Sequence, residues 1–156
     1  MKTVIVCASV SHGNTRRVAD SMAQVLGAEV VPPGRADVAE LVGADLVGFG
    51  SGVFRGRLHP RLTDFVRALP GGRGRAFVFA TSGLPEIPLM PFTRPLVRLL
   101  EDKGFAVDGS FSCRAFDTWT PFRLVGGINK RRPDAGDLAA ARAFAARLRD
   151  GRGPLS

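Results

Sequence analysis

The chain is 156 residues long, 45% hydrophobic and 23% charged, with a formal net charge of +8. That is an ordinary globular balance, long enough for one domain with a sizeable core. No stretch approaches the roughly 20 apolar residues that span a bilayer, and Cys7 and Cys113 are too few for a disulfide framework, so a membrane span and a disulfide scaffold are both excluded.

The apolar start Thr3 to Cys7 is too brief for a signal peptide, and the chain is read as cytoplasmic. Its two cysteines are read as buried free thiols. The positive charge is almost all arginine, since only Lys2, Lys103 and Lys130 are lysine. An excess of this kind favours anionic partners. The arginines are scattered, with clusters only at Arg55/Arg57/Arg61 and Lys130-Arg131-Arg132, which argues against nucleic acid as a partner.

Apolar runs and amphipathic stretches alternate along the chain. Thr3 to Cys7 predicts a buried strand, and Asn14 to Leu26 a helix with Val18, Met22, Val25 and Leu26 on one face. Ala28 to Val31 is a short second strand ended by Pro32-Pro33-Gly34, and Asp37 to Val42 a short helix. Asp45 to Phe49 is a third strand leading into a glycine-rich turn. Arg61 to Leu69 repeats the helical spacing and stops at Pro70-Gly71-Gly72. Ala76 to Ala80 is a fourth strand, apolar throughout, followed by a helix from Phe92 to Leu100. A fifth strand starts at Phe105 and resumes at Ser110 to Cys113, and Asp134 to Leu148 is the last helix. Residues 1–150 form one domain, and 151–156 a frayed tail.

Strands apolar at every position, separated by amphipathic helices, imply a parallel sheet covered on both faces. Five such strands fit an α/β doubly wound fold with strand order 2-1-3-4-5. The long connection from Arg114 to Pro133, which carries Phe116, Trp119 and Phe122, is the length of a functional loop.

In a doubly wound sheet, ligands lie outside the carboxyl ends of the strands, where the strand order reverses. The loop Ser9-Val10-Ser11-His12-Gly13-Asn14-Thr15 falls there. It ends at a helix N-terminus, whose free N–H groups and dipole favour an anion. Gly13 permits close backbone approach, and Ser9, Ser11, Asn14 and Thr15 supply polar donors. The alternative is an ordinary helix cap with Asn14 or Ser11 at the N-cap. His12 either bonds the phosphate or faces solvent. The chain lacks the P-loop and dinucleotide glycine patterns, a G-x-S-x-G elbow and any metal-ligand spacing. No residue is assigned as catalytic, and His59, before Pro60, reads as a surface or capping residue.

At this loop the sequence resembles the flavodoxin family. Gly13-Asn14-Thr15, preceded by hydroxyl residues, is similar to that family's FMN-phosphate loop. Gly48-Phe49-Gly50-Ser51-Gly52-Val53-Phe54 resembles its second flavin-contacting loop and Thr81-Ser82-Gly83 its third. The stretches Phe111 to Trp119 and Gly126 to Lys130 resemble a small branch of flavodoxin-like proteins.

The resemblance implies a flavodoxin-like fold, FMN as cofactor, and a redox role as an electron carrier or small oxidoreductase. The partner would be a redox protein or a small acceptor such as a quinone, and the state monomeric or dimeric. The implied flavin-binding residues are Ser9, Ser11, His12, Gly13, Asn14, Thr15, Ser51, Gly52, Val53, Phe54, Thr81, Ser82, Gly83, Phe116 and Trp119. Gly50, Gly52 and Gly83 would offer peptides able to flip beside the ring. Phe54, Trp119 or Phe116 would stack on it, against the alternative that they pack within the fold. Arg55 and Arg57 would meet an anionic partner or form a solvated rim, and Asp117 would cap a turn or orient a flavin group.

The chain departs from the family's usual pattern at Val10 and His12, in having no tyrosine and one tryptophan, and in its basic charge. Those departures leave room for a non-redox phosphate- or nucleotide-binding module on the same fold.

Overall fold

The computed structural model describes residues 1–9, 13–54, 56–82, 92–114 and 133–151. Five parallel strands form the sheet: β1 (Thr3–Ala8), β2 (Glu29–Val31), β3 (Leu46–Phe54), β5 (Arg75–Ser82) and β6 (Ala106–Arg114). Their order is β2-β1-β3-β5-β6, which is 2-1-3-4-5 when the parallel strands alone are counted. The expected topology is therefore observed. A two-residue strand, β4 (Arg57–Leu58), runs antiparallel to the end of β3 and was not expected.

The helices are α1 (Asn14–Leu26), α2 (Val38–Gly43), α3 (Pro60–Ala68), α4 (Arg94–Asp102) and α5 (Ala135–Arg149). Alternation along the strands divides the core into two layers. One contains Val4, Val6, Val47, Phe49, Ala76 and Val78, packed with Leu41 of α2, Leu62 and Val66 of α3, and Leu96 and Leu100 of α4. The other contains Ile5, Cys7, Phe77 and Phe79, packed with Val18 and Met22 of α1 and with Ala141, Ala145 and Leu148 of α5. Every residue of β1 is buried, which is why its sequence shows no polar alternation.

Phe77 and Phe79 fill the second layer because β3 has glycine opposite each of them. Gly48 pairs with Phe77 and Gly50 with Phe79. A Cβ on Gly48 would lie 2.3 Å from Phe77 Cζ, and one on Gly50 2.2 Å from Phe79 Cζ. Phe144 of α5 continues this layer, with ring centroids 6.0 Å from Phe77 and 5.6 Å from Phe111. The glycine-rich segment is therefore part of strand β3, which runs on to Phe54. Gly50 is held between Cys7 and Phe79, so its absent side chain serves packing and not a flipping peptide.

Three further boundaries differ from expectation. β5 runs on through Thr81 and Ser82, because both residues pair with β6. β6 is continuous, and the polar Asp108-Gly109 break in its pattern is a bulge: Ala76 pairs with Val107 and Phe77 with Gly109. Asp108, set out of register, pairs with Arg75, whose Nη2 also donates to the Leu148 carbonyl at 2.6 Å. α4 begins at Arg94 and not Phe92, which is buried before the helix.

Gly50→Ala should lower stability by about 2–3 kcal/mol, because the Phe79 ring has nowhere to move in a filled layer. Gly34→Ala, where an added Cβ meets nothing within 4 Å, should stay within about 0.5 kcal/mol of the parent. Urea unfolding of the two variants reads both outcomes.

Candidate functional site at the carboxyl ends of the strands

β1 lies between β2 and β3, so the order reverses at its carboxyl end. α1 starts there. Its N-cap is Gly13, with φ +64° in the left-handed region. Neither Asn14 nor Ser11 is the cap: Asn14 is the first helical residue, and Ser11 lies outside the described residues. The positive φ turns the incoming chain sharply into the helix, and glycine adopts it without a Cβ penalty. A Cβ at Gly13 would meet nothing within 4 Å, and no side chain caps this helix end among the described residues. Asn14 and Thr15, in the first turn, are buried at 8% and 4% exposure.

The structure brings together residues from the three segments singled out in the sequence. Thr15 Oγ1 on α1 and Thr81 Oγ1 on β5 share a buried hydrogen bond of 2.7 Å. Gly52 on β3 lies beneath them: a Cβ there would sit 3.5 Å from Thr15 Oγ1 and 3.8 Å from Thr81 Oγ1. Gly52 pairs directly with Thr81 in the ladder, and Ala8 with Ser51. The hydroxyl bond thus fastens the first turn of α1 across β3 to the tip of β5. Ser9, half-buried, follows the end of β1, and Ser82, buried, closes β5.

Two other candidates are used by the fold itself. Ser51 is fully buried; its hydroxyl donates to the Gly52 carbonyl at 2.8 Å and accepts from the His59 N–H at 3.0 Å. Val53 pairs with Leu58 in the β3–β4 hairpin and packs against the first core layer. His59 caps α3, its Nδ1 accepting from the Arg61 N–H at 3.0 Å, which is the expected capping role. Ser11, His12, Gly83, Arg55, Phe116, Asp117 and Trp119 lie outside the described residues, as does the Phe54 side chain.

The β3–β4 hairpin was not anticipated, although a signal was present. Arg55-Gly56 separates two short β-prone pairs, and Gly56 has φ +77°, the kind of residue a two-residue hairpin link demands. Also unanticipated is a cleft of about 340 Å³ on the β2 side of the β1 tip, lined in part by Ser9, Arg16, Arg35 and Arg61.

Cys7 is free and buried beneath that cleft, as expected. Burial pushes its thiol up to about 12, while Arg16 pulls it down and Asp20 adds to the rise. It is therefore a protonated core residue at neutral pH. Cys113 forms no disulfide and is only half-buried. Among the described residues no group of three or more His, Cys, Asp or Glu side chains is placed to hold a metal, and no helix is long and apolar enough to cross a membrane.

This geometry can be set beside known proteins. The sequence profile of the flavodoxin domain matches residues 5–83, from β1 through the tip of β5, which is the stretch that builds the reversal point. The chain belongs to the flavodoxin domain family. A protein of Methanocaldococcus jannaschii described as uncharacterized is 34% identical over 145 residues, covering 93% of this chain and 96% of that protein.

Flavodoxin 1 of Bacillus cereus, in its oxidised form, matches in structure with a TM-score of 0.71 at 20% identity, covering all of both chains. A flavodoxin from the domain Archaea matches with the same TM-score at 16% identity, over 97% of this chain and 98% of that one. Rubredoxin oxygen:oxidoreductase of Desulfovibrio gigas contains the same fold in 36% of its length, with a TM-score of 0.69 at 17% identity. The flavodoxin-like fold therefore covers this chain from end to end.

The residues present suit a phosphoester and the chain leading from it. The seat combines an open helix N-terminus, a left-handed glycine that admits close approach, and a floor at Gly52 without a side chain. The Thr15–Thr81 pair is the strut of this arrangement. Thr15→Val and Thr81→Val should each cost about 1–2 kcal/mol, since each leaves a buried hydroxyl without its partner. The double variant should lose less than the sum of the two, with a coupling of about 1 kcal/mol in a thermodynamic cycle from denaturant unfolding.

Proposed function

We propose that this protein binds FMN at the carboxyl ends of β1, β3 and β5 and serves as a redox protein through it. The observation that carries the reading is the open, glycine-headed N-terminus of α1 at the point where strand order reverses. Family membership and the end-to-end likeness to flavodoxins support it.

The first turn of α1 would hold the phosphate through backbone N–H groups, with Ser9, Ser11, Asn14 and Thr15 contributing side-chain donors and His12 beside them. The strand tips at Ser51, Gly52, Val53 and Phe54, and at Thr81, Ser82 and Gly83, would border the ring. Ser51 and Val53 would take part through their backbones, because their side chains are committed to the fold. Phe54, Phe116 and Trp119 are the aromatic residues available to cover the ring.

A bound flavin supplies the one- and two-electron chemistry, and the protein supplies binding, orientation and local electrostatics. The acceptor would be a redox protein or a small molecule such as a quinone. No described group is poised as an acid or base: His59 is a helix cap and Cys7 a buried thiol.

The test is flavin titration of two variants that differ only in charge. Asn and Asp both tolerate left-handed backbone, so Gly13→Asn and Gly13→Asp should fold alike. Gly13→Asp sets a carboxylate at the phosphate seat and should weaken FMN at least about tenfold relative to Gly13→Asn, a difference of about 1.4 kcal/mol. The parent purified from a flavin-replete host should be yellow, with a visible band that bleaches reversibly on photoreduction. A colourless protein that takes up no FMN on titration would overturn the reading.

A further inference from the structure

The cleft on the β2 side of the β1 tip borders the seat just described at Ser9 and the first turn of α1, and its other walls have no part in that seat. Its walls come from three separate segments: Ser9 and Arg16 flank the first loop, Pro32, Pro33 and Arg35 follow β2, and Arg61 stands in the first turn of α3. The tips of β3 and β5, with Thr15, Gly52 and Thr81, lie on the other side of β1. With a volume of about 340 Å³ the cleft is in the size range of small-molecule sites.

Its charge is one-sided. No carboxylate lines it among the described residues. Arg16 has one acidic partner, Asp20, at 2.9 Å. Arg35 and Arg61 form no ion pair among the described residues. The positions of two of these guanidinium-bearing residues are fixed by rigid backbone. Arg35 ends a 3-10 turn that begins with Pro33 at its first position and Pro32 at its cap. Arg61 follows Pro60 at the head of α3, under the His59 cap.

Three arginines from separate segments therefore line one opening that no carboxylate lines among the described residues. Guanidinium forks pair bidentately with the oxygens of phosphate and carboxylate, and the multiple charge of a phosphate or pyrophosphate suits an opening lined by more than one arginine. We propose that this cleft is a second anion site, separate from the flavin phosphate seat, that takes the phosphate or pyrophosphate group of a small phosphorylated molecule. Arg35 and Arg61 are the selective contacts, and Arg16, shared with Asp20, is the auxiliary one. A ligand held by Arg35 and Arg61 would stand beside the flavin without displacing it.

The experiment is calorimetric titration of the full chain with inorganic pyrophosphate, run on the protein as purified and again with saturating FMN. The expected result is saturable binding in both states that weakens as salt is raised. Arg35→Ala and Arg61→Ala should each weaken it about tenfold or more, while FMN affinity changes less than about twofold. Both side chains are exposed and outside every described ion pair, so the variants should fold; their melting temperatures check this.

Absence of saturable heat would overturn the proposal, as would pyrophosphate affinity unchanged in both variants. One-for-one displacement of pyrophosphate by FMN would also overturn it, because it would put the anion on the flavin seat. A protein that binds pyrophosphate through Arg35 and Arg61 but takes up no FMN would sink the flavin reading and leave this one standing.

Discussion

A right-handed crossover between parallel strands can cover only one face of a sheet, and that constraint organises this molecule. From β1 the chain crosses to β2 through α1 on one face. From β3, on the other side of β1, it crosses to β5 through α3 on the opposite face. Two connections leave in opposite directions from neighbouring strands, so their loops part at the carboxyl ends of β1 and β3. A crevice there is a consequence of topology and needs no side chain to carve it. The glycine-headed N-terminus of α1 lies at that crevice, and the positive end of a helix dipole in such a place favours an anion.

Keeping the crevice open and its walls aligned is a matter of packing farther down the strands. Gly48 and Gly50 let Phe77 and Phe79 lie across β3, so the middle of the sheet is thick with aromatic rings on one side and bare on the strand beneath them. Two residues on, the same alternation brings Gly52 beneath the Thr15–Thr81 hydroxyl bond. The face that is filled with phenyl rings in the core thus becomes, at the strand tips, a small polar floor. On the opposite face Ser51 does comparable work. Its hydroxyl ties the end of β3 to the start of α3, and this sets where Arg61 stands.

The charge of the protein acquires a local meaning from this arrangement. A net charge of +8 spread over a surface is a general bias toward anions. At the β1 tip it is concentrated, because the partial positive end of α1 adjoins a cleft lined by Arg16, Arg35 and Arg61. The buried thiol of Cys7 below them stays protonated, since desolvation outweighs the pull of Arg16.

Much of this was legible in the chain alone. Uninterrupted apolar runs such as Val4-Ile5-Val6 and Phe77-Val78-Phe79 require burial on both faces, which only a helix-covered parallel sheet provides, and the alternation of elements then fixes the class. The start of α1 at Asn14 was readable because a wholly apolar strand passes through a short polar, glycine-bearing link into an amphipathic helix. What only the tertiary structure decided depends on pairing across distance. Glycines at 48 and 50 look like turn residues until Phe77 and Phe79 are seen to need their space. Thr15 and Thr81, separated by 66 residues, become partners only when β5 lies beside β3. Arg16, Arg35 and Arg61 share no pattern in the sequence, because each belongs to a different segment and they meet only where the crossovers turn around β1. Local sequence specifies which elements form and which faces are apolar; which side chains converge at a strand tip is set by strand order and register, to which residues far apart in the chain contribute jointly.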